Sequence, residues 1–346
     1  MRLAGERDSA WPVGTAAVFD NALPADLLRH CAGASDAWAA CGPNFWVPRD
    51  CAASTDAAQH NTLAEQVVAS LHARILARLL PPGGWSGAEW WCQVYNSPGR
   101  GLPFHWDKDE GGLNKNGVTS MRHPLLSCVL YLNTKDECTR EPLGATAVLE
   151  QRWSNATAAA VPVTCRSSLF VWPRHNRLLV FDGDLSHGVL DAHASGATRR
   201  TLLINWWAGE APAGVARLGA DDYAQVYHLP RPVECIPETE PAVAVPVPRL
   251  TLSGMEHPLP LVEALQAAQP GAGTPGGFDA AAGVAALAHP DCVLWQLEGE
   301  SGEEGPLQAA LVPDSLVPAS DSETEASSSS DDEDGDQLSL ATLSVE

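Results

Sequence analysis

Apolar side chains recur at every fourth position from Leu63 through Val67, Leu71 and Ile75 to Leu79, and the run stops at Pro81-Pro82-Gly83-Gly84. This spacing keeps one helix face apolar and predicts a helix over 62–80, ended where Pro and Gly cannot continue it. Upstream, 18–24 reads as a short strand entering a second helix, with Pro24 preset for the first turn and Leu27, Leu28 and Cys31 on its apolar face. Beyond Glu89 the pattern changes to short apolar stretches separated by turn residues, at 90–95, 125–132, 145–149, 168–172, 178–181 and 199–207. Strands that follow helices, rather than alternate with them, predict a mainly β protein of α+β class. A jelly roll braced by N-terminal helices fits best.

Composition changes this picture mainly at the C-terminus. The chain has 346 residues, 45% of them hydrophobic, enough for a sizeable core. Its formal charge is −22, but Arg249 is the last basic residue and 18 of the 43 acids follow it, so residues 1–249 hold 25 acids against 21 bases, or −4. Three regions are therefore expected. Residues 1–235 form one domain, with helical support over 20–82 and a sheet core over 88–210. Residues 236–315 form a Pro/Gly/Ala-rich linker or poorly ordered extension, in which 293–297 reads as an isolated strand or docking peptide. Residues 316–346 form an acidic, Ser-rich tail that cannot bury enough apolar area to offset the entropy of ordering, and disorder is expected there.

An acidic chain gains nothing from counterion release on a duplex, so nucleic acid is disfavoured as a partner. Nine cysteines without a Cys-x-x-Cys pair read as reduced thiols, the even spacing of Cys31, Cys41 and Cys51 notwithstanding. No apolar run is long enough for a membrane span, and the first residues resemble neither a signal nor a transit peptide. A cytoplasmic or nuclear location is the expectation.

The chemistry concentrates in His105-Trp106-Asp107, His187-Gly188-Val189 and Arg199-Arg200-Thr201. In an extended His-x-Asp the imidazole and carboxylate share one face, and Trp106 points the other way. A second copy, His289-Pro290-Asp291, has neither a His nor an Arg after it and serves as an internal control. Two His and one carboxylate on a metal leave positions open for O2 and a chelating acid, as non-haem Fe(II) oxygenases require. A structural site would be closed instead.

Tyr95, His105-Trp106-Asp107, Tyr131-Leu132-Asn133, Gly144-Ala145-Thr146, His187-Gly188-Val189 and Arg199-Arg200-Thr201 occur in this order. Over about residues 15–210 the chain thereby resembles the 2-oxoglutarate/Fe(II)-dependent dioxygenases, in particular their prolyl 4-hydroxylase-like branch. The resemblance implies a double-stranded β-helix holding iron through His105, Asp107 and His187. It also implies 2-oxoglutarate and O2 as co-substrates, with ascorbate as an accessory reductant.

By the same resemblance Arg199 and Thr201 meet the distal carboxylate of 2-oxoglutarate, Tyr131 donates its hydroxyl to it, and Tyr95 lies beside the co-substrate. Arg200 is the rival anion binder, since one residue of register exchanges the two faces of the strand. Trp106, Asp109 and Glu110 are candidates to face substrate, and no catalytic side chain is needed beyond the metal site. The implied reaction is hydroxylation of a C–H bond, on a protein or peptide residue such as proline, as 2-oxoglutarate becomes succinate and CO2. A small-molecule substrate, an AlkB-like demethylase acting on nucleic acid, and an inactive jelly-roll binding protein are the other readings.

Overall fold

The computed structural model describes residues 16–42, 44–95, 101–116, 121–140, 143–163, 165, 167–190, 198–219, 229–234, 240–245, 247, 249–252 and 292–297. The tail over 316–346, most of the stretch over 236–315, and His193 and His289 lie outside the described residues.

In chain order the elements are β1 (Ala16–Asp20), α1 (Ala25–Ala40), β2 (Phe45–Pro48), α2 (Arg49–Ala52), α3 (Leu63–Arg74), β3 (Gly87–Tyr95), β4 (Leu102–His105) and α4 (Glu110–Asn116). They continue with β5 (Leu126–Tyr131), α5 (Lys135–Arg140), β6 (Thr146–Ser154), β7 (Ala159–Val161), β8 (Ser167–Val171), β9 (Leu178–Asp182), β10 (Leu185–Val189) and β11 (Arg199–Trp207). Three further strands follow: β12 (Val243–Ala244), β13 (Arg249–Leu252) and β14 (Cys292–Leu297).

The strands form two sheets, ordered β12-β1-β9-β5-β11-β3-β2 and β13-β14-β8-β6-β10-β4, with β7 paired to β6. From β5 to β11 the chain passes repeatedly between the sheets, which is the jelly-roll architecture expected from the strand pattern. Strands β12, β13 and β14 fall inside the stretch expected to be linker or extension. There β14 pairs with β8, and β13 lies parallel to β14. The apolar alternation around Leu294 and Trp295 was legible, whereas its partner strand about 120 residues upstream was not.

Strand β11 shows how sequence sets the layers. Leu202, Ile204 and Trp206 are fully buried on one face and join the core packed under α1 and α3. Trp206 meets the edge of Trp85 at a centroid distance of 5.3 Å. Arg199, Thr201, Leu203, Asn205 and Trp207 point to the other face, toward the second sheet. Between the sheets a smaller core forms from Val129, Tyr131, Val148, Leu169, Leu179, Phe181 and Leu185. The helix side thus takes most of the apolar burial, and the polar positions of β11 are left for the space between the sheets.

The expected helix over 62–80 stops earlier. α3 ends at Arg74, Ile75 takes φ −131°, and a 3-10 turn spans Leu76–Arg78. A strict four-residue repeat drifts by about 40° per step around a 3.6-residue helix. The break returns Ile75, Leu76, Leu79 and Leu80 to the core. At the start of α3 the Thr62 hydroxyl accepts from the Glu65 amide at 3.1 Å, and the Glu65 carboxylate accepts from the Asn61 amide one residue before the cap, a variant of the capping box. The eight described cysteines are all free thiols, Cys31, Cys41 and Cys51 among them. Among the described residues no helix is long and apolar enough to cross a membrane.

Arg177, with no exposed side-chain surface, ties β9 to β1 by gripping Asp20 Oδ1 at 2.8 Å and Oδ2 at 3.0 Å. Removing Arg177 leaves Asp20 only the longer contact with Arg174, at 3.8 Å. Arg177→Met is expected to lower the unfolding free energy by about 3 kcal/mol, read from urea titrations of the variant and the wild type.

Candidate metal centre

Strands β10 and β4 run antiparallel with His187 directly opposite His105, so the two imidazoles stand on one face at a centroid distance of 4.4 Å. Asp107 lies two residues beyond the end of β4 and turns its carboxylate between them. Its Oδ1 is 3.8 Å from His105 Nε2, and its Oδ2 is 3.6 Å from His187 Nε2. One ligand atom from each of the three residues falls within 4.8 Å of the others. Gly188 follows for a steric reason: a Cβ there would lie 2.8 Å from the Leu102 carbonyl oxygen on β4.

Ring orientations follow from the hydrogen bonds. His105 Nδ1 is 2.9 Å from the Pro103 carbonyl and His187 Nδ1 is 3.0 Å from that of Leu185. A carbonyl only accepts, so each ring donates from Nδ1 and turns Nε2 toward Asp107, the atom left for a metal. Burial presses His187 down to about 4, against the pull of Asp107, which favours the neutral ring. Burial alone would raise Asp107. The two imidazoles and hydrogen bonds from Ser127 and Asn205 outweigh it and hold the carboxyl below its usual range. The Ser127 hydroxyl donates to Oδ2 at 2.7 Å. Two imidazole Nε2 atoms and one carboxylate, with no fourth ligand among the described residues, suit an open divalent-metal site.

Along β11 from Asn205 toward Arg199, the wall between the sheets becomes cationic. Arg199 is buried, opposite Tyr95 on β3, with its guanidinium 5.4 Å from the centroid of the Tyr131 ring. It donates to Thr146 Oγ1 at 2.8 Å, to the Gly144 carbonyl at 3.3 Å and to Thr201 Oγ1 at 3.4 Å, all neutral acceptors. Among the described residues it forms no ion pair, whereas the equally buried Arg177 is paired with Asp20. Arg200 points the other way, to Glu137 at 2.6 Å and Asp36 at 3.7 Å. Tyr131 shares a hydrogen bond with Thr146 Oγ1 at 2.7 Å and donates to the Val171 carbonyl at 3.1 Å. The Tyr95 hydroxyl donates to Gln93 Oε1 at 2.9 Å.

Two of the residues expected to face substrate are buried in the scaffold instead. Trp106 is 5% exposed and packs edge-on against Trp153, because it occupies the face opposite the two ligands. Asp109 is 7% exposed and fully occupied by Arg122 and the amides of Gly112 and Ala213. Glu110 is exposed and pairs with Lys108 at 3.0 Å. His175 bonds the Asn133 carbonyl through Nδ1. The polar residues Ser127 and Asn205 escaped the sequence reading, and Thr146 was noted there only as part of Gly144-Ala145-Thr146. Their signal was a small polar side chain at an inward position of an otherwise apolar strand.

No protein-family model and no curated protein matches the chain. Solved structures do. A prolyl-4-hydroxylase from Pseudomonas putida is 22% identical, with 57% of this chain and 89% of that one covered, at a TM-score of 0.35. A non-heme alpha-ketoglutarate-dependent carbocyclase from nogalamycin biosynthesis is 11% identical over 67% and 93% of the two chains, at a TM-score of 0.36. A Trichoplax adhaerens prolyl hydroxylase, solved with a hypoxia inducible factor peptide, is 14% identical over 56% and 83%, at a TM-score of 0.32. The strand order and registers given above establish the fold independently of these likenesses.

One more buried acid stands on this wall. Glu89, directly opposite Asn205 on β3, accepts from Asn44 Nδ2 at 2.7 Å and Trp207 Nε1 at 3.0 Å, and forms no ion pair among the described residues. Burial pushes its carboxyl up to about 7, against these two hydrogen bonds. With the folded value above the unfolded one, the native state binds the extra proton between about pH 4.5 and 7, and stability falls as pH rises through that window. Glu89→Gln is therefore expected to gain on the order of 3 kcal/mol relative to wild type between pH 4 and pH 8, measured by urea unfolding at both values.

Proposed function

We propose that the chain is an Fe(II)- and 2-oxoglutarate-dependent dioxygenase of the prolyl 4-hydroxylase-like kind that hydroxylates a C–H bond on a protein or peptide residue, proline being the first candidate. The observation that carries this reading is the pairing of two complementary sites on one inner surface. Three ligand atoms lie within 4.8 Å of one another, and on the wall beside them a buried guanidinium has no carboxylate partner among the described residues. A buried, unpaired cation costs several kcal/mol, a cost that an anionic ligand offsets. When bound, Fe(II) with O2 supplies the oxidation, one oxygen atom entering the C–H bond and the other the succinate formed as 2-oxoglutarate loses CO2.

The protein's part is to bind and orient. His105 and His187 offer Nε2 because their Nδ1 protons are committed to backbone carbonyls, and Asp107 offers a carboxylate kept ionised by its neighbours. Ser127 takes one lone pair of Asp107 and so orients the carboxylate. Arg199 accepts the distal carboxylate of 2-oxoglutarate, to which its planar fork is matched. Thr146 and Thr201 hold that fork in place, and Tyr131 lies under it. Tyr95, across the strand pair from Arg199, flanks the co-substrate. Arg200 is engaged by Glu137 on the outer face and takes no part. The order of motifs from Tyr95 to Thr201 supports the peptide-hydroxylase assignment, and the acidic balance of the chain disfavours a nucleic-acid substrate.

Purified protein given Fe(II), ascorbate and labelled 2-oxoglutarate is expected to release succinate, and more of it when a proline-containing peptide pool is added. Asp107→Ala is expected to abolish the release. Arg199→Met is expected to retain metal while raising the KM for 2-oxoglutarate by about tenfold or more, the loss of a charged hydrogen-bonding pair. Arg200→Met is expected to leave that KM unchanged. Wild-type protein that forms no succinate and binds no 2-oxoglutarate when loaded with metal would refute the reading.

A further inference from the structure

Asp107 lies beyond the β4–β10 ladder, which ends at the His105–His187 pair, so sheet pairing does not fix its backbone. A neighbouring segment does. The His123 Nδ1 proton is donated to the Asp107 carbonyl at 2.6 Å, and the Asp109 amide is donated to the Arg122 carbonyl at 2.9 Å. The Arg122 guanidinium then closes on the Asp109 carboxylate, with Nε at 3.2 Å and Nη2 at 2.7 Å from Oδ2. Met121, at the head of the gripping segment, is held through both its amide and its carbonyl by the Asn155 side chain at 2.9 Å.

Arg122 also reaches past the end of β11. Nη1 donates to the carbonyls of Ala208 at 3.2 Å and Glu210 at 2.7 Å, Nη2 donates to that of Ala211 at 3.2 Å, and the guanidinium stacks over Trp207 at 4.9 Å. Asp109 Oδ1 meets the same loop through the Ala213 amide at 2.9 Å. The approach is close enough to exclude a side chain: a Cβ on Gly111 would lie 2.3 Å from the Ala213 carbonyl oxygen. One guanidinium therefore joins the turn bearing a metal ligand to the end of the strand whose Asn205 and Arg199 line the same wall.

We infer that Arg122, acting through Asp109, is a positioning residue for the metal centre, holding the 106–109 turn so that the Asp107 carboxylate stays between His105 and His187. The inference rests on the proposed metal-binding role of these three residues. It assigns a purpose to Asp109 that solvent-facing chemistry does not: its carboxylate anchors the turn rather than meeting substrate. Lys at position 122 would keep the charge but lose the fork, so it could satisfy Asp109 or the carbonyls of 208–211 but not both.

The test is titration of the metal-free full-length protein with Co(II) under nitrogen, followed by the visible absorption of the bound ion, well below each variant's melting temperature. Arg177→Met serves as the control, since it breaks an Arg–Asp pair whose arginine is more deeply buried than Arg122 and touches none of the three metal ligands. Arg122→Met and Asp109→Asn are expected to weaken Co(II) binding at least about tenfold, Arg122→Lys by an intermediate factor, and Arg177→Met by less than about twofold. Should Arg122→Met fail to fold, Asp109→Asn loosens the same grip with a one-atom change. Co(II) affinity within twofold of wild type in the variants at 122 and 109, or an equal loss in Arg177→Met, would overturn the inference while leaving the metal centre standing. Wild-type protein without Co(II) affinity would overturn both.

Discussion

The pairing of His187 with His105 across β10 and β4 is the contact on which the site depends. Antiparallel register places both rings on one face, and carbonyls two residues back along each strand fix both tautomers. A slip of one residue would turn one imidazole to the outer face, where Trp106 and Trp153 pack. Everything else about the centre is an adjustment to that pairing. Gly188 lets the strands approach, Asp107 fills the angle between the rings, and Ser127 and Asn205 on the opposite sheet meet its carboxylate.

The two faces of β11 divide the labour of the fold. Leu202, Ile204 and Trp206 are spent on packing under the helices, which frees the other face to carry groups that a folding core would not choose. Arg199 and Glu89 are both buried on that inner wall without an ion-pair partner among the described residues. Neither helps stability. Arg199 is desolvated against neutral acceptors, and Glu89 is held by two neutral donors. Buried charge that stability does not explain is where ligand binding is expected. The contrast with Arg177, equally buried and gripped by Asp20, separates a charge-paired arginine from one held only by neutral acceptors.

The elements readable from the sequence were those set by local periodicity and by spacing. The alternation of His105-Trp106-Asp107 dictated which side chains share a face, and the structure places them so. Thr201 was legible as facing with Arg199 for the same reason. Asp109 was expected to face substrate because a carboxylate two residues past a ligand lies beside the site in sequence, and its partners Arg122 and Ala213, the second about a hundred residues away, bury it instead. Ser127 and Asn205 carried only a faint signal, a small polar residue on an apolar strand.

The amino-acid order by itself determined the main strands and the shared face of His105 and Asp107, because strand alternation and side-chain chemistry are local properties. Tertiary structure decided the rest. It turned Arg199 inward and Arg200 outward, broke the 62–80 helix at Ile75, gave 292–297 a partner in β8 and closed Arg122 over the turn that carries Asp107. Each of these depends on which surface a residue meets across the fold. Residues far apart in sequence settle that only when burial and pairing are satisfied together.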